Sequence, residues 1–159
     1  MTMAQESVPM ILPLATAWEQ PFADFLVRLA ANGDEATFHP HPLTRESAAQ
    51  LANYSGRDLY YVFVDQGQVL GYGMLRGWDE GFEVPSLGIA IDPSVRGRRI
   101  GLALMHFLHA VAKQRGCSSI RLTVSATNLA AIRLYEGLGY RFEPIRDTDL
   151  VGKLGLTSG

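Results

Sequence analysis

The sequence predicts an α/β sandwich around a mixed sheet. Two observations carry that prediction. Segments with alternating or β-branched apolar residues interleave with segments whose apolar residues recur every three or four positions. Two of the strand-like segments lie on either side of Gln66-Gly67-Gln68 and form a hairpin early in the chain.

Residues 10–17 have strand character. Residues 21–30 read as an amphipathic helix with Phe22, Phe25, Leu26 and Leu29 at helical spacing, ending at Asn32-Gly33-Asp34. The prolines of His39-Pro40-His41-Pro42 hold that stretch extended, because a residue before proline avoids the helical region. Thr44 is placed to cap a second helix containing Glu46, Ala49 and Leu51. Aromatic and β-branched content makes residues 59–64 a strand and 69–75 its hairpin partner. After the loop 77–81, residues 84–91 form another strand. In it Leu87, Ile89 and Ile91 point one way, while Gly88 and Ala90 leave the other face bare for a group to approach.

Asp92-Pro93 ends that strand, and a long helix follows, striped by Ile100, Leu104, Phe107, Leu108 and Val111 and stopped by Gly116. Residues 119–124 alternate as a strand. Thr127 or Asn128 caps a last helix in which Leu129, Ile132 and Tyr135 share a face, with Gly139 in the left-handed position beyond its end. Residues 140–143 begin a further strand, 150–154 the last one, and 156–159 read as a frayed tail.

The 159 residues suit one domain spanning 1–159, long enough to bury a core without cross-links. A hydrophobic content of 47% with 19% charged residues excludes a disordered chain. The net charge of −2 gives no field that would draw in nucleic acid or an anionic membrane. A lone cysteine, Cys117, excludes an internal disulfide and a cysteine-rich zinc site, and fits a reduced, cytosolic compartment. The first residues lack a basic stretch, carry Glu6 and are interrupted by Pro9 and Pro13, unlike a targeting segment. No apolar run approaches the roughly 20 residues that span a bilayer.

The most informative segment joins the strand ending at Ile91 to the long helix: Arg96-Gly97-Arg98-Arg99-Ile100-Gly101-Leu102. A helix N-terminus presents unpaired N–H groups and about half a positive charge, which suits phosphate. Gly97 and Gly101 let the backbone come close, and Arg96, Arg98 and Arg99 add cations. Taken alone, the loop reads equally well as a turn with solvated arginines. One helix and one strand later comes a second block, Asn128-Leu129-Ala130-Ala131-Ile132-Arg133-Leu134-Tyr135, followed by Gly139-Tyr140. With both blocks in this order and spacing, the sequence resembles the GNAT (Gcn5-related) N-acetyltransferases. Residues 96–101 match that family's pyrophosphate motif, Arg/Gln-x-x-Gly-x-Gly/Ala, and 128–135 match its Asn-x-x-Ala-x-x-Leu-Tyr block. The close match runs over residues 87–142. Arg99 stands where the family usually has glycine; in helical φ/ψ it needs no glycine, and its side chain is expected to turn away from the pyrophosphate.

The resemblance implies a mixed, mostly antiparallel sheet of six to seven strands, flanked by about four helices, with a splayed central pair. It implies acetyl-CoA as cosubstrate, direct attack by an amine, and no metal. The pantetheine arm would lie along Ile89, Ala90 and Ile91 and bond Asn128, and the pyrophosphate would rest on N–H groups of Gly97, Arg98, Arg99, Ile100, Gly101 and Leu102 beside Arg96. Tyr135 would act as general acid on the departing thiolate. Glu83, just upstream, lies near where several relatives place a catalytic base, ahead of Asp79 and Glu80; a solvated charge at Glu83, with a bound-water relay or deprotonation before binding, remains the alternative. The acceptor pocket is expected from the variable parts of the fold, with His39, His41, Tyr72, Arg76 and Trp78 as its residues. A stiff histidine–proline segment and a flat indole favour a small primary amine, an amino sugar or a nucleotide-linked one. A protein N-terminus or lysine remains an alternative, as does a non-catalytic acetyl-CoA sensor. Relatives often dimerise, which leaves a homodimer open.

Other candidates are weaker. His106 and His109 are one helical turn apart but fall outside the apolar stripe, so an exposed face is expected. Cys117 has no base near it in sequence, and the arginine cluster is too small for a nucleic-acid footprint.

Overall fold

A computed structural model describes residues 8–38, 40–146 and 148–156. The elements follow the chain as β1 (Met10–Pro13), α1 (Glu19–Ala31), α2 (Arg45–Ala52), β2 (Leu59–Asp65), β3 (Gln68–Arg76), β4 (Ser86–Ile91), α3 (Ile100–Gln114), β5 (Ser119–Ser125), α4 (Leu129–Gly137), β6 (Arg141–Arg146) and β7 (Asp149–Gly155). The strands form one sheet in the order β1-β2-β3-β4-β5-β7-β6. Every neighbouring pair is antiparallel except β4 and β5.

Local chemistry explains the boundaries. The β2–β3 hairpin turns on Gln66 (φ 52) and Gly67 (φ 75), the two left-handed residues that a type I′ turn needs. Thr44 caps α2 by accepting from the Ser47 N–H at 3.1 Å. Gly33, Gly116 and Gly139 all have positive φ past helix ends. β4 starts at Ser86 and not at 84, since Pro85 has no N–H to give a ladder. β1 ends at Pro13 and not at 17, and Thr16–Trp18 forms a 3₁₀ turn.

The sheet is covered on both faces. On one, α1 and α2 pack Phe22, Phe25, Leu26 and Leu29 against Val62, Val64, Tyr72 and Met74. On the other, α3 and α4 pack Met105, Leu108, Ala112 and Tyr135 against Leu75, Leu87, Ile120, Leu122 and Val124. β3 faces both ways: Tyr72 and Met74 meet the first layer, while Gly71 and Gly73 lie against Leu104 and Leu108 of α3. β5 alternates as expected, with Ile120, Leu122 and Val124 inward and Arg121 and Thr123 exposed. Among the described residues no helix is long and apolar enough to cross a membrane.

Four local expectations are corrected. The face opposite Leu87 on β4 is not bare, because Met74 fills the space over Gly88, where an added Cβ would meet its side chain at 3.2 Å. Leu129 is 61% exposed, and α4 buries Tyr135 instead. His109 is half-buried, with Nε2 2.7 Å from the Tyr140 hydroxyl, while His106 is exposed. Leu156 is no frayed end: it is buried and its N–H donates to the Ser118 carbonyl at 2.8 Å. Residues 157–159 lie outside the described residues.

Candidate active site

β4 and β5 register at one pair, Ser86 with Arg121, beside the bond from the Arg121 N–H to the Pro85 carbonyl at 3.0 Å. Towards their C-terminal ends the two strands part. The gap is part of a cleft of about 1510 Å³ lined by β4, β5, α4 and the loop before α3, and also by the end of β3, the loop after it and the segment following α1.

Hydrogen-bond direction along β4 follows from strand alternation. The Asp92 N–H donates to Leu70 on β3 at 2.9 Å, whereas the Pro85 carbonyl faces β5. Leu87, Ile89 and Ile91 share the parity of Pro85 and turn their N–H and C=O groups into the gap. Ala90 has the parity of Asp92, so its polar backbone faces β3. The Ile91 carbonyl already accepts from Arg96, at 3.2 Å from Nε and 3.1 Å from Nη2. Ile89, with both groups, and Ile91, with its N–H, are the backbone positions on offer to a bound chain.

The loop before α3 is held from behind. Asp92, 2% exposed, accepts from Arg28 Nε at 2.7 Å and from the Ser94 N–H and hydroxyl at 3.0 and 2.7 Å. Burial pushes its carboxyl up, but the bonds from Ser94 and Arg28 outweigh that and hold it below the usual value. Arg28 also donates to the Val69 carbonyl at 2.8 Å, so one guanidinium joins α1, the β2–β3 hairpin and this loop. Arg96 pairs with Asp34 at 2.8 Å as well as with Ile91, so its guanidinium is committed within the protein. Gly97 (φ 81) has nothing within 4 Å of where a Cβ would stand. Arg99 is left-handed at φ 66, ψ 18, directly before Ile100. The sequence suggested helical φ/ψ here, and the left-handed conformation corrects that: glycine suits this position for its backbone conformation. The first N–H groups of α3 have no intrahelical acceptor and border the cleft with Gly97, Arg99, Ile100, Gly101 and Leu102. Arg98 is exposed and not among the lining residues.

Across the gap, Asn128 caps α4 through Oδ1, 3.3 Å from the Ala131 N–H. Among the described residues its amide NH₂ has no partner, which leaves it for a ligand. Tyr135 lines the cleft at 8% exposure, with its ring near Tyr140 and Phe142. Burial pushes its phenol up to about 12, so it holds its proton at neutral pH. Cys117 is not among the lining residues, so the cleft offers no thiol nucleophile. Among the described residues no group of three or more His, Cys, Asp or Glu side chains could hold a metal ion.

The acceptor residues expected from sequence are mostly elsewhere. Trp78 is buried, with the Arg115 guanidinium 4.2 Å from its ring centroid, and is a core residue. Tyr72 is fully buried against Phe22. His41 Nδ1 is 2.8 Å from the Pro42 carbonyl, which can only accept; Nδ1 therefore donates, and Nε2 accepts from the Tyr72 hydroxyl at 3.1 Å. Burial lowers the His41 pKa, and the ring stays neutral within this packing rather than facing the cleft. His39 lies outside the described residues. Arg76 does line the cleft and donates to the Pro40 carbonyl at 2.9 Å. Glu83 is exposed and outside the lining, whereas Glu80 is within it. Asp79 is engaged by the Tyr54 hydroxyl and the Arg57 N–H. The sequence reading missed Arg121 and Thr123, two exposed polar residues of β5 that face the cleft. The alternation of β5 marked them as outward; only the strand order shows what they face.

Comparison with known proteins agrees with this architecture. The acetyltransferase (GNAT) family model matches residues 24–140. The [ribosomal protein bS18]-alanine N-acetyltransferase of Escherichia coli K12 is 30% identical over 117 residues, 74% of this chain and 76% of that protein. The GNAT domain of an S. lividans protein superposes with a TM-score of 0.79 at 14% identity, covering 94% of this chain and 97% of that one. A Salmonella typhimurium protein solved with its cofactor acetyl-CoA superposes with a TM-score of 0.74 at 20% identity, covering 95% of each. A parted central strand pair, a glycine-containing helix N-terminus on one side of it and a buried tyrosine on the other accompany these matches, and the chain belongs to the GNAT family of N-acetyltransferases.

Proposed function

We infer that the protein transfers acetyl from acetyl-CoA to the N-terminal α-amine of a polypeptide. The carrying observation is that the gap between β4 and β5 opens on both faces of the sheet. On the α3–α4 side it is bordered by Ile89, Ile91, Leu134 and Tyr135, and on the other by Arg76, Ser86, Gly88, Arg121 and Thr123. Two substrates can therefore meet in the sheet from opposite sides without sharing a path. The Escherichia coli relative is named for an alanine N-acetyltransferase acting on a ribosomal protein, which supports a polypeptide acceptor. The amino-sugar reading loses the support of Trp78, which is buried, and of His41, whose ring nitrogens are engaged by Pro42 and Tyr72, while His39 lies outside the described residues. The acceptor side presents instead an open strip with the exposed apolar residues Phe82 and Val84 beside Glu80.

The residues fit acetyl-CoA: free N–H groups at the α3 N-terminus with Gly97 and Gly101 suit the pyrophosphate, and the inward-facing backbone of Ile89 suits the pantetheine amides. Bound there, acetyl-CoA supplies an acetyl thioester. Tyr135, neutral up to about pH 12, holds a proton for a departing thiolate. Of the lining carboxylates Asp34 is paired with Arg96, and Glu80, on the acceptor side, is the one we assign to attract an ammonium group and take its proton. With no thiol in the cleft, the amine attacks directly. The test is release of free CoA thiol with alanine-led peptides, the same peptides blocked at the N-terminus, and amino sugars. Turnover confined to free N-termini is expected; turnover confined to amino sugars overturns the reading.

A further inference from the structure

The acceptor side of the cleft carries a row of cations without acidic partners, and we propose that this row selects polypeptide N-termini with aspartate or glutamate among their first residues. The proposal rests on the N-terminal-amine reading and narrows it.

Sheet register places the row. Arg76 on β3 is partnered with Ser86 on β4, Ser86 with Arg121 on β5, Arg121 with Lys153 on β7, and Lys153 with Arg141 on β6. Partnered residues on neighbouring strands direct their side chains to the same face. Arg76, Arg121, Lys153 and Arg141 therefore form one line across the sheet, interrupted only by Ser86. The face is that of Met74 and Tyr72, two residues apart on β3 in step with Arg76. The core that α1 and α2 build there takes residues from β1 to β4 and none from β5, β6 or β7. Arg121, Lys153 and Arg141 are exposed on the half that this core does not reach, where Val151 is buried beside them.

Like charges directly opposite each other destabilise a sheet. This one holds two such pairs, Arg121–Lys153 and Lys153–Arg141, and among the described residues none of the four cations makes an ion pair. Among the described residues their one side-chain hydrogen bond, from Arg76 to the Pro40 carbonyl, brings no negative charge. Among the described residues the strand acids of this face stand in other rows, Glu143 beside Val151 and Asp149 beside Ser125, and Glu80, in the loop after β3, shares the cleft without making an ion pair with the row. An arrangement unfavourable to the empty fold becomes favourable once carboxylates lie along it, each able to take paired bonds from a guanidinium.

The row is separate from the phosphate site. Ser86 and Ile91 are at opposite ends of β4, about 16 Å apart. Its length identifies the occupant. From β3 to β6 it crosses four strand spacings, about 19 Å, the reach of about six extended residues and well beyond a single amino acid. Arg76 and Arg121 line the cleft where the reacting amine would lie, and Lys153 and Arg141 continue outward.

The experiment compares kcat/KM for alanine-led peptides of equal length that differ at positions 2–5, with Asp/Glu, Asn/Gln or Lys/Arg there, and for free aspartate. It is run on the wild type, Arg121→Gln and Lys153→Glu, with the acetyl-CoA KM and a melting curve for each. At low salt the acidic peptide is expected to exceed the neutral one at least tenfold, and added salt should shrink the difference. Lys153→Glu alters an exposed side chain, so the fold is retained, and the acidic-to-neutral ratio should fall at least threefold with the acetyl-CoA KM unchanged. Equal or reversed preference in the wild type, or a preference that survives both substitutions, overturns the proposal and leaves N-terminal acetylation standing. Turnover of aspartate with no peptide acetylated overturns the polypeptide reading and retains recognition of an acidic group.

Discussion

Tyr135 shows how packing sets chemistry at one residue. Its ring is enclosed by the α4 layer, and burial alone pushes the phenol up to about 12. The protonated form is the useful one for a donor, and it is lost only as pH rises through the folded pKa. The rate should therefore show no alkaline loss from this group at pH 10, where an ordinary tyrosine would be half ionised. Tyr135→Phe keeps the ring and removes the hydroxyl: kcat should fall at least about tenfold with little change in melting temperature. A folded variant with wild-type kcat in single-turnover measurements would take Tyr135 out of the reaction. Arg99 is a second single-residue case. A left-handed conformation disfavours any residue with a Cβ, so Arg99→Gly should leave stability unchanged or raise it by up to about 1 kcal/mol. Acetyl-CoA affinity should stay within about tenfold, because the proposed phosphate donors are backbone N–H groups. A larger loss would make the Arg99 side chain a principal ligand.

At the scale of elements, Gly101 stands where the first turn of α3 meets β4 and α4 beside the cleft. A Cβ there would sit 3.6 Å from Ile89 and 3.7 Å from Leu134, an ordinary contact, so a small side chain fits and a large one must project into the gap. Gly101→Trp should abolish measurable acetyl-CoA binding by calorimetry while circular dichroism stays native; unchanged affinity in a folded variant would move the cofactor elsewhere. The element periodicities were largely legible in the sequence, since each depends on neighbours in the chain: β5 alternates as written, Thr44 caps α2, and Gly139 closes α4. Misreadings came where distant chain intervened. Leu129 has the spacing of a core residue, but the layer it would join begins at the next turn of α4. Trp78 has the chemistry of a binding platform, but Arg115 from the end of α3 covers it.

For the molecule as a whole, acid sensitivity comes first from histidines that burial keeps uncharged and, at lower pH, from a carboxylate that hydrogen bonds keep charged. Burial, with the nearby charges of His106 and Lys113, lowers the His109 pKa to about 4 against an ordinary 6.5. Between these values the unfolded chain binds the proton and the folded one does not. The stability contribution is therefore complete above about pH 6.5 and is lost as pH falls towards 4. His41 is lowered too and acts in the same direction. The Asp92 carboxyl is held below its ordinary value, so its contribution is lost only at still lower pH. The melting temperature should drop between pH 7 and 4.5, and His109→Asn should flatten that drop. An unchanged slope in the variant would assign the acid sensitivity to other groups.

The sequence by itself determined the family, the helix N-terminus suited to phosphate and the presence of Tyr135 and Asn128 beyond the next strand, because these depend on short-range spacing. It also determined which β5 residues point outward. The tertiary structure alone decided what those residues face, because strand order brings β5 beside β4 and register sets Arg121 between Ser86 and Lys153. It decided as well that Arg96 is tied to Ile91 and Asp34, that Glu80 and not Glu83 borders the cleft, and that Tyr72 and Trp78 are core. The physical reason is range. Backbone preference and amphipathic period act within a few residues, whereas pairing of charges and exclusion of water act between segments that are far apart until the chain has folded.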